Sequence, residues 1–536
     1  MTAATPTELN PETPAWTVRD FVAAMALFAF GLMTNLTTVL NNAYSFGSTL
    51  FDSAFSQTIL WRSGWALKPA PSLDDVSFLN VHLSPINYLP SALSYLIPID
   101  RMSFYGLVFG LVFGLLLVVS FAVLRRQYNG RILPAVIGSV LLYLSGPINN
   151  GQWEPHQEYA SSLFMVWFFL AWGTGHLRLA VLMVILNAAV REDCGVHLAL
   201  PLLLLAAHDR WLRRAQDRSA DERKTLLLAS LSLLLSVAAF VVKRAFFNSR
   251  DVMGDVYYGS PPFGHLSAGL LEARLDYTIF HESWLWLPGL VLLAGALWRR
   301  DARLLIGWVA FMPYWFFNFF SKGDLNAALG SYKAFPIMVA LLWPAILALG
   351  RGGAERRALG LVQMAVLIVA VVTWEDGGLR VAAPTGLEGL ANRWLLHKET
   401  DQAELYRSFE SRIEGGNLGN TRASAGVLAL YPYSFPIYYR SQVMAGAQAQ
   451  AEQLDSLLWF AGDRDEAVSE QWLTSGHFPY LYHVIGTRMS LATRLPPDKL
   501  PSFAGAIELA VTSANDGGAG RRFRSGFHLL MRTGIR

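Results

Sequence analysis

The sequence contains very little cysteine and little charge. Cys194 is the single cysteine among 536 residues, so an internal disulfide framework and a cysteine-rich metal site are both excluded. Charged residues make up 15% of the chain, against about 25% in soluble domains, which argues against an ordinary soluble enzyme. The net charge of +3 is too small to indicate nucleic-acid binding, because that function needs a basic patch.

Three common catalytic motifs are also missing. The chain has no Walker A phosphate loop, no G-x-S-x-G nucleophile elbow and no H-E-x-x-H zinc motif. Each of these motifs places its reactive groups at a fixed spacing. An ordinary ATPase or serine hydrolase is therefore excluded on motif grounds.

Apolar sequence dominates what is present. Hydrophobic residues make up 53% of the chain, and a membrane-spanning helix needs about 20 mostly apolar residues. The pattern predicts an α-helical polytopic membrane protein with about eleven spans. The predicted spans are residues 19–40, 104–124, 132–148, 160–175, 178–190, 195–207, 225–247, 284–298, 304–320, 335–349 and 358–374. A half-buried broken helix is the alternative for the fourth to sixth spans.

The charged residues of the short loops predict the orientation. Alternate loops are rich in arginine and lysine, and the intervening loops are rich in acids. Basic loops stay on the cytoplasmic side, which predicts a cytoplasmic (inner) membrane protein with its N-terminus inside. Residues 1–18 are predicted to form a disordered cytoplasmic tail, residues 19–375 the transmembrane domain, and residues 41–103 a large first outer loop.

The last part of the chain differs in composition. Residues 376–536 are polar, charged and interrupted by Gly and Pro. Short apolar runs at 426–431, 457–460, 480–485 and 507–511 are typical of strands or buried turns. They predict a C-terminal extracytoplasmic α/β domain.

Two candidate functional residues lie in the first outer loop. Residues 50–61 have helical periodicity and predict an amphipathic helix in the membrane interface, which would hold Asp52 at the rim of the bilayer. His82 follows later and could donate to a phosphate or shuttle protons. The alternatives are a solvated aspartate on a surface helix and a structural loop histidine.

The loop after the third span carries a second group of polar residues. Glu154, His156 and Glu158 stand near Trp153, with amide side chains around them. These groups could bind a sugar. Planar donors and acceptors form hydrogen bonds with the sugar hydroxyls, and an aromatic side chain packs against the face of the sugar ring. They could also bind a metal, and the alternative is a solvated outer turn.

Further charges interrupt the apolar sequence. Arg191, Glu192 and Asp193 are adjacent, and each charge costs about 2.5–3.5 kcal/mol at a helix centre. They must therefore lie at the outer interface, pair with one another or line a wet cavity. Lys333 is an outer-face cation, an exception to the positive-inside pattern, and a lipid-linked phosphate or snorkelling to headgroups would explain it.

Taken in order, these motifs resemble the domain of unknown function 2079 family, which is grouped with GT-C-type, polyprenyl-phosphate-dependent glycosyltransferases. The resemblance covers about residues 20–350. Its motifs appear here as Phe51-Asp52 with Trp61, His82-Leu83-Ser84-Pro85, His156-Gln157-Glu158, Arg191-Glu192-Asp193, and Tyr332-Lys333 before Pro336. The chain departs from the family at Gln57, where a second acid is expected, and at Lys333, where a histidine is expected.

The resemblance implies a GT-C-like fold and an inverting membrane glycosyltransferase. It implies transfer of a sugar from a polyprenyl-phosphate donor to a glycan, lipid or protein acceptor at the outer face. Asp52 would be the catalytic base, and no cofactor is required, although a divalent cation is possible. Substrate and phosphate binding would fall to His82, Glu154, His156, Glu158, Arg191, Glu192, Asp193, Tyr332 and Lys333. A transporter or flippase of lipid-linked sugars and a non-catalytic scaffold or sensor are the alternatives.

Overall fold

The architecture is mostly helical in the part of the chain that the structure, a computed structural model, describes. The described residues are 15–44, 56, 59–61, 63–65, 67, 77–99, 101–153, 155–212, 220–247, 257–329, 331–373, 394–396, 418–420, 456–460, 480–483 and 489–493. They divide into two compact units. One takes in the described residues of 1–38, 77–90 and 106–395, and the other those of 39–76, 91–105 and 396–536.

Most of the described residues from residue 18 to residue 373 are helical. The α-helices are α1 (Val18–Tyr44), α2 (Tyr88–Leu93), α3 (Arg101–Gln127), α4 (Ile132–Leu144), α5 (Gly146–Trp153), α6 (Glu158–Gly173), α7 (Leu177–Ala188), α8 (Cys194–Leu212), α9 (Ala220–Phe246), α10 (Ala268–His281), α11 (Ser283–Arg299), α12 (Ile306–Phe319), α13 (Asp324–Ala327), α14 (Ile337–Leu341), α15 (Trp343–Ala348) and α16 (Gly353–Val372). Short 3₁₀ helices cover Phe78–Asn80, Pro85–Asn87, Ala302–Leu305 and Ser331–Ala334.

Some of these helices are long and apolar enough to cross a membrane. Among the described residues, three helices pass on length and composition, at Val18–Asn41, Met102–Gln127 and Glu222–Phe246. A fourth span results if α10 and α11, which meet at a 70° bend, are counted together. The predicted mostly helical chain with membrane-spanning helices is thus confirmed, while eleven spans and a GT-C arrangement stay predictions.

Many of the solvent-exposed side chains on these helices are large and apolar. On α11, Leu290, Leu293 and Leu297 follow one another at helical spacing and are all exposed. A stripe of this kind is unusual on a soluble monomer, whereas lipid is its natural surrounding. The inward-facing side carries large buried rings, among them Tyr143, Phe169 and Trp343.

The helical unit has a basic end. There, Arg125 donates to both carboxylate oxygens of Asp20, and one of these bonds is 2.9 Å long. Arg125 also donates to the carbonyl of Ala15 at 2.9 Å, which holds the last residues of the predicted N-terminal tail. Arg303 pairs with Asp301 at 2.7 Å, and Arg351, two residues before α16, also pairs with that aspartate. Arg356 in α16 donates to Asn129, just after α3, at 3.2 Å, which places the Arg303 and Arg125 pairs at the same end.

Helix α8 runs from a second group of charged residues, around Asp193, toward the basic end. His197 in its first turns contacts Asp193, and Asp209 near its last turn acts electrostatically on Arg303. The helix has 19 residues and is therefore about 28 Å long, close to the roughly 30 Å of a bilayer core. The two charged groups are thus about one membrane thickness apart along α8.

The predicted span 132–148 is divided into two helices. Helix α4 ends at Leu144, because Ser145 is extended with ψ of 152° and Pro147 follows. Helix α5 then packs against α6 at Gly151, where an added Cβ would overlap the Tyr159 ring. The Tyr159 hydroxyl donates to the carbonyl of Pro147 at 2.5 Å. Gly151 therefore fixes α5 directly against α6.

Replacing Gly151 with alanine is expected to destabilise the protein by about 1–3 kcal/mol, because the new methyl group overpacks the Tyr159 contact. Thermal unfolding of the detergent-solubilised protein measures the change. The matched control is Gly269→Ala in α10, where an added Cβ has no atom within 4 Å and alanine favours the helix. Equal midpoints for the two variants would contradict the close α5–α6 contact.

The second unit contains a small mixed sheet. Its strands are β1 (Leu418–Asn420), β2 (Ser456–Phe460), β3 (Tyr480–His483) and β4 (Met489–Thr493), in the order β1-β2-β4-β3. β1 is parallel to β2, and β4 is antiparallel to both β2 and β3. The predicted runs at 457–460 and 480–485 contain β2 and β3, whereas those at 426–431 and 507–511 lie outside the described residues. The α/β class of this region stays a prediction.

Candidate functional site

The adjacent charges Arg191, Glu192 and Asp193 form the turn between α7 and α8. Side chains on both sides hold this turn. Asn187 donates from Nδ2 to the carbonyl of Cys194 at 2.8 Å and accepts at Oδ1 from the Ser161 hydroxyl at 2.6 Å. The turn is therefore anchored to α6 and α8.

Arg191 binds two carboxylates at once. Its Nε and Nη2 donate to the two oxygens of Asp193 at 2.6 and 2.7 Å, and its Nη1 donates to Oε1 of Glu158 at 2.9 Å. Glu158 is fully buried and also pairs with Nδ1 of His156. His197 lies 3.4 Å from Asp193 on the other side. Arg191 and Asp193 of the sequence motif thus pair with each other, with Arg191 buried and the Asp193 side chain 29% exposed.

Glu192 points to different groups. Its Oε1 accepts from Lys243 at 2.9 Å and lies 3.2 Å from Nδ1 of His82, and its Oε2 accepts from the backbone N–H of Leu83 at 2.9 Å. Lys243 also donates to the carbonyl of Val81 at 2.6 Å. One carboxylate therefore joins the 81–83 segment, the α7–α8 turn and the last turn of α9.

The pKa values of the turn carboxyls reflect these ion pairs. Burial raises the pKa of Glu192, but His82 and Lys243 lower it more strongly, to about 2. Burial also raises the pKa of Asp193, and Arg191 and His197 lower it well below its usual range. Both carboxyls are therefore ionised at neutral pH and serve as permanent anions.

Glu192 is expected to stabilise the protein in a pH-dependent way. Because its pKa is lowered from 4.5 to about 2, its contribution is complete above pH 4.5 and is lost as the pH falls through the folded value. Glu192→Gln should lower the midpoint of thermal unfolding at neutral pH. The difference from the unchanged protein should shrink below pH 4.5 and disappear near pH 2. A difference that persists unchanged on acidification would exclude the charge of Glu192 as its cause.

Lys333 lies close to this network. Its Nζ is 3.4 Å from the hydroxyl of Tyr257 and 5.7 Å from the centre of that ring, and its side chain is buried. Two residues further on, the ring of Phe335 carries the Arg191 guanidinium at 5.4 Å. Tyr314 packs on Phe335 at 5.8 Å and on His197 at 4.8 Å. Phe335 and Tyr314 thus connect the Lys333 segment with the network.

Six of the predicted site residues therefore belong to two neighbouring ion-pair groups. They are His82, His156, Glu158, Arg191, Glu192 and Asp193. Tyr332 lies in the Ser331–Ala334 3₁₀ helix beside Lys333, and its side chain is outside the description. Asp52 and Glu154 lie outside the described residues, so their roles stay predictions.

Three contacting residues are absent from the predicted set. Lys243 has a signal in the sequence, because it is a cation at the predicted outer end of a span. His197 follows Asp193 at the i,i+4 spacing of one helix face. Tyr257 is 76 residues from Lys333, and no local pattern connects the two.

The predicted loop at 149–159 is not a solvated turn. Asn149, Gln152, His156, Gln157 and Glu158 are all buried. In the described residues, no group of three or more His, Cys, Asp or Glu side chains could hold a metal ion. The carboxylate of Glu158 is occupied by His156 and Arg191, so a divalent cation stays a prediction that depends on Asp52 and Glu154.

Comparison with known proteins gives a distant structural neighbour and no match by sequence. No family model matches the chain, and no characterised protein matches its sequence. Among solved structures, the crystal structure of ArnT from Cupriavidus metallidurans in the apo state matches with a TM-score of 0.46 and 12% sequence identity. The match covers 90% of this chain and 100% of that one. The resemblance to the domain of unknown function 2079 family stays an interpretation of the ordered motifs.

Proposed function

We propose that this protein is a GT-C-type membrane glycosyltransferase, which moves a sugar from a polyprenyl-phosphate carrier to an acceptor hydroxyl at the outer face of the cytoplasmic membrane. The observation that carries the proposal is the burial of Lys333 under Tyr257, beside the network of Arg191. A phosphate leaving group gains negative charge as the sugar departs, and a cation fixed in advance stabilises that charge.

The division of the charges supports the orientation. The basic end around Arg125 and Arg303 would face the cytoplasm, as the positive-inside rule requires. The site around Glu192 would then face outward, where no nucleotide is available and a lipid-linked donor is the natural source of the sugar. This agrees with the missing Walker A motif.

The proposed roles follow from the contacts. Lys333 binds the carrier phosphate, and Asp52, predicted from sequence, removes the proton from the acceptor hydroxyl. Arg191 is a positioning residue, because its N–H groups donate to Asp193 and Glu158. Glu192 positions the 81–83 segment and with it His82.

The isoprenoid chain needs only apolar surface between helices. Helices α11 and α16 enclose an apolar groove of about 400 Å³. The groove is lined by Leu287, Leu290, Val291, Ala294, Ile368, Val369, Val372 and Thr373. Such a surface suits a chain that enters from the bilayer.

The test is sugar transfer by the purified protein in proteoliposomes, with a polyprenyl-phosphate-linked sugar as donor. Lys333→Gln should lower the transfer rate by about 10²–10³-fold, as loss of one preorganised charge-stabilising group does. Lys322→Gln is the matched control, because Lys322 is exposed on the same connection between α12 and α14. Its rate should stay unchanged.

A histidine at position 333 sharpens the test. Lys333→His should retain activity at low pH and lose it as the pH rises past about 6.5, where imidazole loses its proton. A protein that makes no glycosidic bond but moves the intact lipid-linked sugar across the bilayer would be a flippase. A protein with neither activity would be a scaffold or sensor.

A further inference from the structure

Two glutamine side chains near the proposed site are buried and have no hydrogen bond within the described part of the chain. For both Gln152 and Gln157, the amide nitrogen and the amide oxygen lack a partner, and both residues are buried. The side-chain oxygen of Asn149 is also without a partner, whereas its nitrogen donates to the carbonyls of Leu144 and Ser145. Most buried polar side-chain atoms in proteins have a partner, so a cluster of this kind needs an explanation.

The amides lie on segments that adjoin the proposed phosphate cation and the Glu158 network. Asn149 and Gln152 are three residues apart on α5 and share one side of that helix. Helix α5 packs against the Ser331–Ala334 segment that carries Lys333, and the Gly151–Tyr159 contact fixes its position. Gln157 directly precedes Glu158 at the start of α6.

The chemistry of the amides indicates what they would bind. A carboxamide offers a donor and an acceptor in one plane and carries no charge, which suits the paired donor and acceptor character of sugar hydroxyls. Helix α5 contains no charged residue. Glu158 and Arg191 are already paired with each other, and Lys333 is assigned to the carrier phosphate. A carboxylate or ammonium group on the sugar would be buried here without a counter-ion, which is strongly unfavourable.

We propose that Gln152 and Gln157, together with the side-chain oxygen of Asn149, form a subsite for the hydroxyl groups of a neutral sugar. The inference rests on the proposed transferase function and adds the class of donor. The sugar is an uncharged hexose or pentose unit, not a uronic acid or an amino sugar.

The experiment measures binding to the full-length protein in detergent. The probes are undecaprenyl phosphate alone and the same lipid carrying glucose, glucuronic acid or glucosamine. Glucose should strengthen binding over the bare lipid by about tenfold for each hydrogen bond it makes, and glucuronic acid and glucosamine should not. Gln152→Leu and Gln157→Leu should each lower the affinity for the glucose-bearing lipid by about tenfold. The affinity for undecaprenyl phosphate itself should stay unchanged.

Gln127→Leu is the matched control. Gln127 is also buried with both amide atoms unpartnered, but it ends α3 beside Arg125 and Arg126 at the basic end. This variant should keep the full gain from glucose.

Thermal stability gives a second readout. Leucine at position 152 or 157 should leave the midpoint unchanged or raise it, because an unsatisfied polar group is removed.

The outcomes separate the two proposals. Binding of undecaprenyl phosphate with no gain from glucose, a gain that survives both glutamine variants, or an equal gain from a charged sugar would each overturn the subsite alone. If the glutamine variants lose thermal stability but bind glucose as before, the amides bind structural water and not the sugar. That result would also overturn the subsite. Failure of undecaprenyl phosphate itself to bind would overturn the transferase proposal and the subsite with it.

Discussion

Replacing Arg191 with leucine is expected to lower the free energy of unfolding by about 3–5 kcal/mol, as breaking a buried ion pair from one side does. The guanidinium neutralises Glu158, which is fully buried, and binds Asp193 through two N–H groups. Leucine would remove the guanidinium and leave these carboxylates beside the imidazoles of His156 and His197. Equilibrium unfolding by sodium dodecyl sulfate in mixed micelles measures the change.

Two further variants define the cause of this loss. Arg351→Leu removes partly exposed pairs with Glu355 and Asp301 at the basic end, and its effect should be about 0–1 kcal/mol. Arg191→Lys keeps the charge but cannot bind Asp193 through a fork of two donors while reaching Glu158, so its effect should lie between the two. If Arg191→Leu is as stable as Arg351→Leu, the guanidinium is not a structural element and is available for a ligand.

The second large effect is expected at Asp52. Asp52→Asn should lower the rate of sugar transfer by about 10²–10⁴-fold, because a positioned general base contributes this much and an amide cannot accept the proton. The transfer assay with a polyprenyl-phosphate donor measures it. Binding of the donor should stay unchanged, since the base acts on the acceptor.

Asp75→Asn is the matched control, since Asp75 is an aspartate of the same predicted outer loop without a proposed role. Its transfer rate should equal that of the unchanged protein. Full activity of Asp52→Asn would exclude Asp52 as the general base. The role of Lys333 is tested separately by the Lys333 variants.

The choice of helices as the main structure could be predicted from the sequence. Hydropathy is a local sum, and a run such as 104–124 has too few polar groups to be stable anywhere except in a helix surrounded by lipid or protein. The breaks were less predictable. The span at 132–148 ends early because Pro147 follows an extended Ser145. The span at 335–349 is divided between α14 and α15 at Leu342, and Pro344 lies in the first turn of α15.

The importance of Arg191-Glu192-Asp193 was also visible in the sequence, because three adjacent charges between apolar segments must be compensated. Their partners were not visible. Glu192 pairs with residues 51 and 110 positions away, and Arg191 with one 33 positions away. Such pairs form only where helix packing brings distant segments together.

The sequence by itself determined the membrane class, the division of charge between two ends and the positions of the charged motifs, since each of these is a property of neighbouring residues. Only the tertiary structure decided that the motif charges pair with each other and with Glu158, Lys243 and His82. It also decided that Lys333 lies under Tyr257 and that two glutamines are buried without partners among the described residues. Ion pairing and burial depend on distances between segments far apart in the chain. Those distances are set by close packing, such as the contact of Gly151 with Tyr159, and not by any local pattern.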